Sequence, residues 1–177
     1  DHVSLESHIF CGTCRPCRLG NAHLCNNTTY PGIDIDGAFA DYITVPALIA
    51  WKNPKDLPHE TGAMLEPFGI GVHACLEGSG VSGQTVLING CGPIGLMAVA
   101  VARALGASRV IAADLNPLRL KTAEIMGADR AIKADDENVA DVVRDMTGGE
   151  GADVGIEFSG SEPGFQAVFD SLCKGGD

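Results

Sequence analysis

An α/β fold with a parallel sheet of about four strands is predicted for the second half of the 177-residue chain. From residue 84 onward, short apolar runs that suit buried strands alternate with segments of helical periodicity. The first half differs, because residues 1–60 are irregular, rich in Gly, Pro and Asn, and contain four closely spaced cysteines. The predicted class is therefore a doubly wound parallel sheet, incomplete at about four strands, preceded by a smaller irregular domain with a boundary near residue 80.

The predicted elements follow in chain order. An alternating stretch at residues 38–45 predicts a half-buried strand, and an apolar helical pattern covers residues 62–77. After it, strands are expected at residues 85–89, 109–113, 131–133 and 154–158, and helices at residues 93–105, 118–126, 139–146 and 164–172. A complete dinucleotide-binding sheet has six strands. Because this one has fewer and the chain lacks a start methionine, we expect the sequence to be part of a longer protein.

Composition excludes several classes of partner. The formal net charge is −11 and the isoelectric point about 4.7, so the chain repels phosphate backbones and anionic lipid surfaces. No apolar run reaches the ~20 residues that span a bilayer, and no signal peptide is recognisable at the start. A cytoplasmic protein that acts on a small molecule, without nucleic acid or membrane as partner, is expected.

The cysteine-rich segment predicts a metal site. Its four cysteines have the spacing C-x2-C-x2-C-x7-C and are Cys11, Cys14, Cys17 and Cys25. Four thiolates suit a tetrahedral structural zinc ion, which leaves no position for a substrate. An iron–sulfur cluster is an alternative, although the bacterial ferredoxin run closes with C-x3-C-P, and disulfides are another, although nothing else indicates secretion.

A glycine-rich turn predicts a dinucleotide site. Residues 90–95 read G-C-G-P-I-G, which is G-x-G-x-x-G between a predicted strand and a predicted helix. In that context Gly90 permits the tight turn, Gly92 the approach of a pyrophosphate, and Gly95 the packing of helix on strand. Asp114 ends the next strand, where an acid binds the adenosine ribose and repels a 2′-phosphate, which favours NAD over NADP. The alternative is a turn that needs its glycines for packing only.

Three further positions have two interpretations each. Arg119 lies over an adenine ring or is a solvated helix residue. Glu66, in an apolar stretch, pairs with a metal ion or another cation, or it is an acid in the first turn of a helix. The small residues Ser159 and Gly160 after the fourth strand let backbone approach a cofactor, or they form an ordinary strand-to-helix turn.

A cysteine lobe followed by a strand, G-x-G-x-x-G and an acid resembles the zinc-containing medium-chain dehydrogenases. This family includes alcohol, polyol and threonine dehydrogenases, and the resemblance covers the whole chain. The stretches most similar to the threonine dehydrogenase branch are HIFCG at 8–12, HLCNNT at 23–28, GAFA at 37–40, PFG at 67–69, GPIG at 92–95 and DLNPLRL at 114–120. The resemblance implies part of a GroES-like catalytic domain in residues 1–80 and part of a NAD-binding Rossmann domain in residues 81–177.

The resemblance also implies roles for individual residues. The four cysteines match the ligands of a structural zinc, Glu66 an acid at or beside a catalytic zinc, and His8 a histidine of the substrate pocket. The residues that match the NAD site are Gly90, Gly92, Pro93, Ile94, Gly95, Asp114, Arg119, Ser159 and Gly160. The remaining ligands of the catalytic zinc are expected upstream of residue 1.

The activity that the resemblance implies is oxidation of a secondary alcohol by NAD. For the threonine dehydrogenase branch, this reaction converts L-threonine to 2-amino-3-oxobutanoate, and the assembly is a homo-oligomer, a tetramer. A polyol or simple alcohol is an alternative substrate. An alternative of another class is a non-catalytic NAD-binding or assembly module.

Overall fold

The computed structural model describes every residue, Asp1–Asp177. The chain forms two compact units, Asp1–Glu66 and Pro67–Asp177. The boundary that composition places near residue 80 stays a prediction. No helix has both the length and the apolar character needed to cross a membrane.

The first unit has little regular structure. Strands β1 (Val3–Leu5) and β2 (Ala50–Lys52) pair antiparallel, and the unit also contains two short helices, α1 (Arg15–Arg18) and α2 (His59–Gly62). Ile49, beside β2, is the one fully buried large apolar side chain of this unit. A unit with so small a core needs another source of stability, such as a metal site.

The strand predicted at residues 38–45 is wrong. These residues form bends and irregular chain and pair with no other strand. The alternation is present in the sequence, but Phe39 and Tyr42 are almost wholly exposed, so no apolar face is buried. Period-2 patterning predicts a strand only where a neighbouring chain supplies hydrogen bonds and covers one face.

The second unit contains the predicted parallel sheet. Its strands are β3 (Thr85–Asn89), β4 (Arg109–Asp114), β5 (Arg130–Lys133) and β6 (Val154–Glu157), in the order β5-β4-β3-β6. Its helices are α3 (Leu65–Leu76), α4 (Pro93–Ala104), α5 (Pro117–Ile125), α6 (Val139–Met146) and α7 (Glu162–Ser171), of which α3 begins at the end of the first unit. All strand pairs are parallel. The predicted fold class is confirmed.

Alternate residues of the strands pack into two separate cores. On one face, Val86 and Ile88 of β3 contact a cluster that includes residues of α3, α4 and α5. On the other face, Leu87 contacts a cluster that includes residues of α6 and α7. Each of these β3 side chains is completely buried, which contributes about 1.5–3 kcal/mol apiece. Helices on both faces explain why β3 reads as an unbroken apolar run.

A charged cluster connects α4 to the chain between α5 and β5. Arg103 donates to the carbonyl of Gly127 through Nε at 3.0 Å and through a terminal nitrogen at 2.9 Å, and pairs with Asp129 at 2.5 Å. Asp129 also accepts the main-chain N–H of Val110 at 2.7 Å. Partial burial raises the pKa of Asp129, but the bonds from Val110 and Arg103 outweigh it and the net pKa is lowered.

We expect this carboxylate to stabilise the fold in a pH-dependent way. Its folded pKa lies below the unfolded value of about 3.9, so its contribution is complete above that pH and is lost as pH falls through the folded pKa. Asp129→Asn should lower the free energy of unfolding by about 0.5–1 kcal/mol at pH 7, a figure reduced because both side chains are partly exposed. Urea unfolding at pH 7 and pH 3 measures the difference, which should shrink at pH 3. Asp145→Asn, at an exposed position, is the matched control, and an equal loss at both pH values would contradict the expectation.

Candidate active site

The predicted metal ligands lie together in the first unit. The sulfur atoms of the four cysteines are all within 4.8 Å of one another. Individual separations are 3.4 Å for Cys14–Cys17, 3.8 Å for Cys14–Cys25 and 3.6 Å for Cys11–Cys25. A tetrahedral zinc ion with Zn–S bonds near 2.3 Å separates its sulfur ligands by about 3.8 Å, whereas a disulfide needs about 2.05 Å. The separations fit a shared metal ion and exclude a disulfide.

Local hydrogen bonds favour thiolate at part of this cluster. The Cys11 sulfur accepts the Thr13 hydroxyl at 3.5 Å and the Cys14 N–H at 3.3 Å. Bonds from Thr13, Asn27 and Cys14 lower the pKa of Cys11 to about 5. Desolvation raises the pKa of Cys17 to about 12. Four thiolates therefore require a cation among them, and the donor set suits zinc.

Glu66 and His8 are linked through a serine between them. Ser7 Oγ donates to Glu66 Oε1 at 3.0 Å and lies 3.1 Å from His8 Nδ1. His8 Nδ1 also lies 2.5 Å from Glu6 Oε1, and its ring packs edge-on against Tyr30. Burial raises the pKa of Glu6, but the hydrogen bond to His8 and their charge attraction lower it overall. The structure thus places Glu66 near the predicted pocket histidine, which sequence spacing could not show.

No set of metal ligands surrounds Glu66. Glu66 is not part of the cysteine cluster or of any other group of three or more ligand side chains whose ligand atoms lie close together. It lies in the first turn of α3, where a carboxylate is favourable next to the helix dipole. A metal-binding role for Glu66 stays a prediction.

A groove of about 710 Å³ lies at the carboxyl ends of β3, β4 and β6. The predicted cofactor-binding residues that line it are Gly90, Gly92, Asp114, Arg119 and Ser159. Pro93, Ile94, Gly95 and Gly160 do not line it; the first three begin α4, and Gly160 lies in the turn after β6. The carboxyl edge of a parallel sheet is where open α/β folds bind ligands.

Glycine occupies the three positions of this turn for different physical reasons. Gly90 has φ of +92°, and a Cβ there would lie 2.5 Å from the main-chain nitrogen of Ser159. A Cβ on Gly95 would lie 1.9 Å from the carbonyl oxygen of Gly90. A Cβ on Gly92 meets nothing within 4 Å, because that position faces open space. Gly90 and Gly95 are therefore required for packing, whereas Gly92 leaves room beside the groove.

The N-terminus of α4 has unpaired donors. Gly92 is its N-cap and supplies no side-chain hydrogen bond. By contrast, Asn116, Asn138 and Ser161 cap α5, α6 and α7. Free N–H groups and the positive end of a helix dipole next to a groove suit a phosphate group.

Asp114 is buried and holds the turn as well as lining the groove. Its Oδ2 accepts the N–H of Cys91 at 2.6 Å, and its Oδ1 accepts the N–H of Asn116 at 2.7 Å. An Arg119 guanidinium nitrogen lies 3.7 Å from Oδ2. Each carboxylate oxygen retains a lone pair for a ribose hydroxyl. The sequence indicates the ribose role but not the main-chain bonds.

Sequence reasoning assigned no role to Asn89, which lines the groove, or to Glu157, which contacts Asn89 but does not line the groove. They are partners in the β3–β6 register, and Asn89 Nδ2 donates to Glu157 Oε1 at 3.2 Å. Asn89 is only 4% exposed. The sequence feature that could have pointed to this site is Asn89 itself, a polar residue at the end of the apolar run TVLIN.

Comparisons with known proteins agree with this geometry. A family profile described as "Zinc-binding dehydrogenase" matches residues 93–177, and one described as "Alcohol dehydrogenase GroES-like domain" matches residues 1–59. The chain belongs to the zinc-containing alcohol dehydrogenase family. An L-threonine 3-dehydrogenase of Shewanella frigidimarina is 47% identical over 99% of this chain and 51% of its own length. The chain therefore spans about half the length of the curated relatives it matches.

Two solved structures share the fold of this chain. Galactitol-1-phosphate dehydrogenase from Escherichia coli has a TM-score of 0.89 at 29% identity, covering 97% of this chain and 49% of its own. A protein from Sinorhizobium meliloti described as a zinc-binding dehydrogenase and bound to NADP has a TM-score of 0.89 at 32% identity, covering 98% and 52%. Both likenesses agree with a GroES-like part before a Rossmann part, as the resemblance implied.

We expect alanine substitutions at Gly92 and Gly95 to have different effects on the stability of the protein. Gly95→Ala should cost several kcal/mol, because the new Cβ collides with main chain rather than with a flexible side chain. Gly92→Ala should change the free energy of unfolding by less than about 1 kcal/mol, because its φ of −66° is ordinary and its surroundings are open. Thermal unfolding compares the two variants, and equal melting temperatures would show that the two positions do not differ in this way.

The cysteine lobe should contain about one zinc ion per chain with four sulfur ligands. Cys14→Ser should release the zinc and expose residues 11–25 to protease, because metal-binding energy is folding energy in so small a lobe. Cys173→Ser, at a free thiol outside the lobe, is the control. Metal analysis, X-ray absorption and limited proteolysis test this expectation. Iron, a mixed nitrogen–oxygen shell, or unchanged protease resistance of Cys14→Ser would contradict it.

Proposed function

We propose that the protein is a zinc-dependent dehydrogenase that uses NAD to oxidise the secondary alcohol of L-threonine. The reaction would convert L-threonine and NAD⁺ to 2-amino-3-oxobutanoate, NADH and a proton. The observation that carries the proposal is the groove at the carboxyl edge of the sheet, with an uncapped helix N-terminus and a buried acid beside it. The 47% identity to an L-threonine 3-dehydrogenase supports the choice of substrate.

The groove residues would bind and orient the dinucleotide. The N–H groups at the start of α4 would donate to the pyrophosphate, and the open position of Gly92 would let it approach. Asp114 would accept the hydroxyl hydrogens of the adenosine ribose, and Arg119 could cover the adenine. Ser159 and Gly160 would lie on the side of the nicotinamide half. When bound, NAD supplies the hydride acceptor and a catalytic zinc polarises the alcohol oxygen.

The first unit would supply the sulfur lobe and polar contacts to the substrate. The four cysteines would hold a structural zinc that orders residues 11–25. His8 would hydrogen-bond a polar group of the substrate, with Glu6 fixing its ring through Nδ1. Glu66 would act at or beside the catalytic zinc. By resemblance, we also propose a homo-oligomer, a tetramer.

A polyol is the second candidate substrate, favoured by the likeness to galactitol-1-phosphate dehydrogenase. The decisive comparison is kcat/KM for L-threonine, sorbitol and ethanol, each with NAD and with NADP, on the protein expressed from its complete gene. L-Threonine with NAD should give the highest value. A higher kcat/KM for sorbitol would show that the substrate is a polyol and not L-threonine. Binding of NADH without turnover of any alcohol would favour a non-catalytic module.

His8→Ala tests the contact to substrate. It should lower kcat/KM for L-threonine by roughly fivefold to 150-fold, which corresponds to the ~1–3 kcal/mol lost when a polar group is left without its hydrogen-bond partner. Zinc content should stay unchanged, because His8 is not a predicted ligand. The matched control is His59→Ala, which removes an exposed histidine of the same unit. An unchanged kcat/KM for His8→Ala would show that His8 makes no important contact to the substrate. The family assignment would not be affected.

A further inference from the structure

We infer that Glu157 is a positioning residue for the nicotinamide half of the dinucleotide, because it fixes the Ser159–Gly160 turn against the end of β3. The inference rests on the proposed NAD-dependent function and adds a residue that neither the motif nor the resemblance indicated. Glu157 ends β6, directly beside Asn89 at the end of β3.

The carboxylate of Glu157 accepts hydrogen bonds from the end of β3 and from the turn after β6. Its Oε1 accepts the N–H of Ser159 at 2.6 Å and Asn89 Nδ2 at 3.2 Å. Its Oε2 accepts the N–H of Gly160 at 3.0 Å. Two consecutive main-chain N–H groups thus bind one carboxylate, which determines how the turn leaves β6. Gly160 has φ of +65°, a conformation that such bonds help to maintain.

The Ser159–Gly160 turn also packs against the glycine-rich turn that begins at Gly90. A Cβ on Gly90 would lie within 3 Å of both Phe158 and Ser159 main-chain atoms, so the two turns are in direct contact. A Cβ on Gly164, in the first turn of α7, would lie 2.6 Å from Asn89 Nδ2. Little space remains for the turn to adopt another conformation. The position of Glu157 therefore determines the shape of this side of the groove.

The sheet topology assigns this side to the nicotinamide half. From β3 the chain continues outward to β4 and β5, then returns to place β6 on the other side of β3. Dinucleotides bind across such a reversal, with the pyrophosphate at the turn of the first strand. Because Asp114 at the end of β4 lies on the adenosine side, the other half of the molecule extends over β6. Ser159 lines the groove there, whereas Glu157 lies behind it.

The electrostatics agree with this geometry. Burial raises the pKa of Glu157, but the bonds from Ser159, Gly160 and Asn89 outweigh it and the net pKa is lowered. The group is a carboxylate at neutral pH. An amide at this position offers one acceptor oxygen in place of two, and its NH₂ would face a main-chain N–H.

Glu157→Gln tests the inference by separating the two halves of the cofactor. In the protein expressed from its complete gene, the dissociation constant of NADH should rise about tenfold, and that of ADP, which lacks the nicotinamide half, by less than twofold. Isothermal titration calorimetry measures both. If Glu157→Gln only disturbed the structure, the affinities for NADH and for ADP would fall by similar factors. Glu150→Gln makes the same chemical change at an exposed position before β6 and should alter neither constant.

A second variant tests the same turn if Glu157→Gln fails to fold. Gly160→Ala strains the turn through its positive φ without a steric clash, since nothing lies within 4 Å of its Cβ position. Like Glu157→Gln, it should weaken the binding of NADH more than the binding of ADP. Equal losses for both probes, or no loss of NADH affinity, would overturn the inference while leaving the proposed function in place. If the unaltered protein binds neither NADH nor ADP, the proposed function fails and the inference fails with it.

Discussion

The close approach of main chain at the carboxyl end of β3 is the constraint on which the second unit depends. The end of β3, the start of α4 and the turn after β6 meet there at distances that no Cβ allows. The carbonyl oxygen of Gly90 occupies the space that a side chain at Gly95 would need. Because α4 can approach β3 only through these glycines, the buried cluster between them and the groove above them have the same origin.

The first unit depends on a different interaction. Its lobe at residues 11–25 contains no buried residue, so apolar burial cannot hold it together. The four sulfur atoms instead converge to the separations of a tetrahedral metal site. The hydrogen bonds that lower the pKa of Cys11 come from Thr13, Asn27 and Cys14, within or just beyond the same loop. If these cysteines bind zinc as predicted, ordering of the loop and binding of the metal would occur in one folding step.

The parts of the structure that follow from local patterns could be predicted from the sequence. The strand at Thr85–Asn89 and the helix from Pro93 combine an apolar run with clear start signals, and the bounds of the helix Val139–Met146 agree with the prediction to the residue. The stretch 38–45 could not be predicted correctly, because a strand needs a partner that a local pattern does not contain. The pairing of Asn89 with Glu157 depends on strand register between residues 68 positions apart. Periodicity places each strand and cannot specify which strand is its neighbour.

The main-chain bonds of Asp114 bear on the cofactor that we propose for the groove. Its oxygens are bound to the main chain of Cys91 and Asn116 at 2.6 and 2.7 Å, so the carboxylate cannot rotate away from a ligand in the groove. A 2′-phosphate would therefore meet a fixed negative charge on a side chain that is only 7% exposed. Arg119 could offset part of that repulsion, but it is 51% exposed and 3.7 Å away, where solvent screens its charge. A ribose hydroxyl, by contrast, can donate to the lone pairs that the main-chain bonds leave free. The same bonds that order the glycine-rich turn would thus support the proposed use of NAD in preference to NADP.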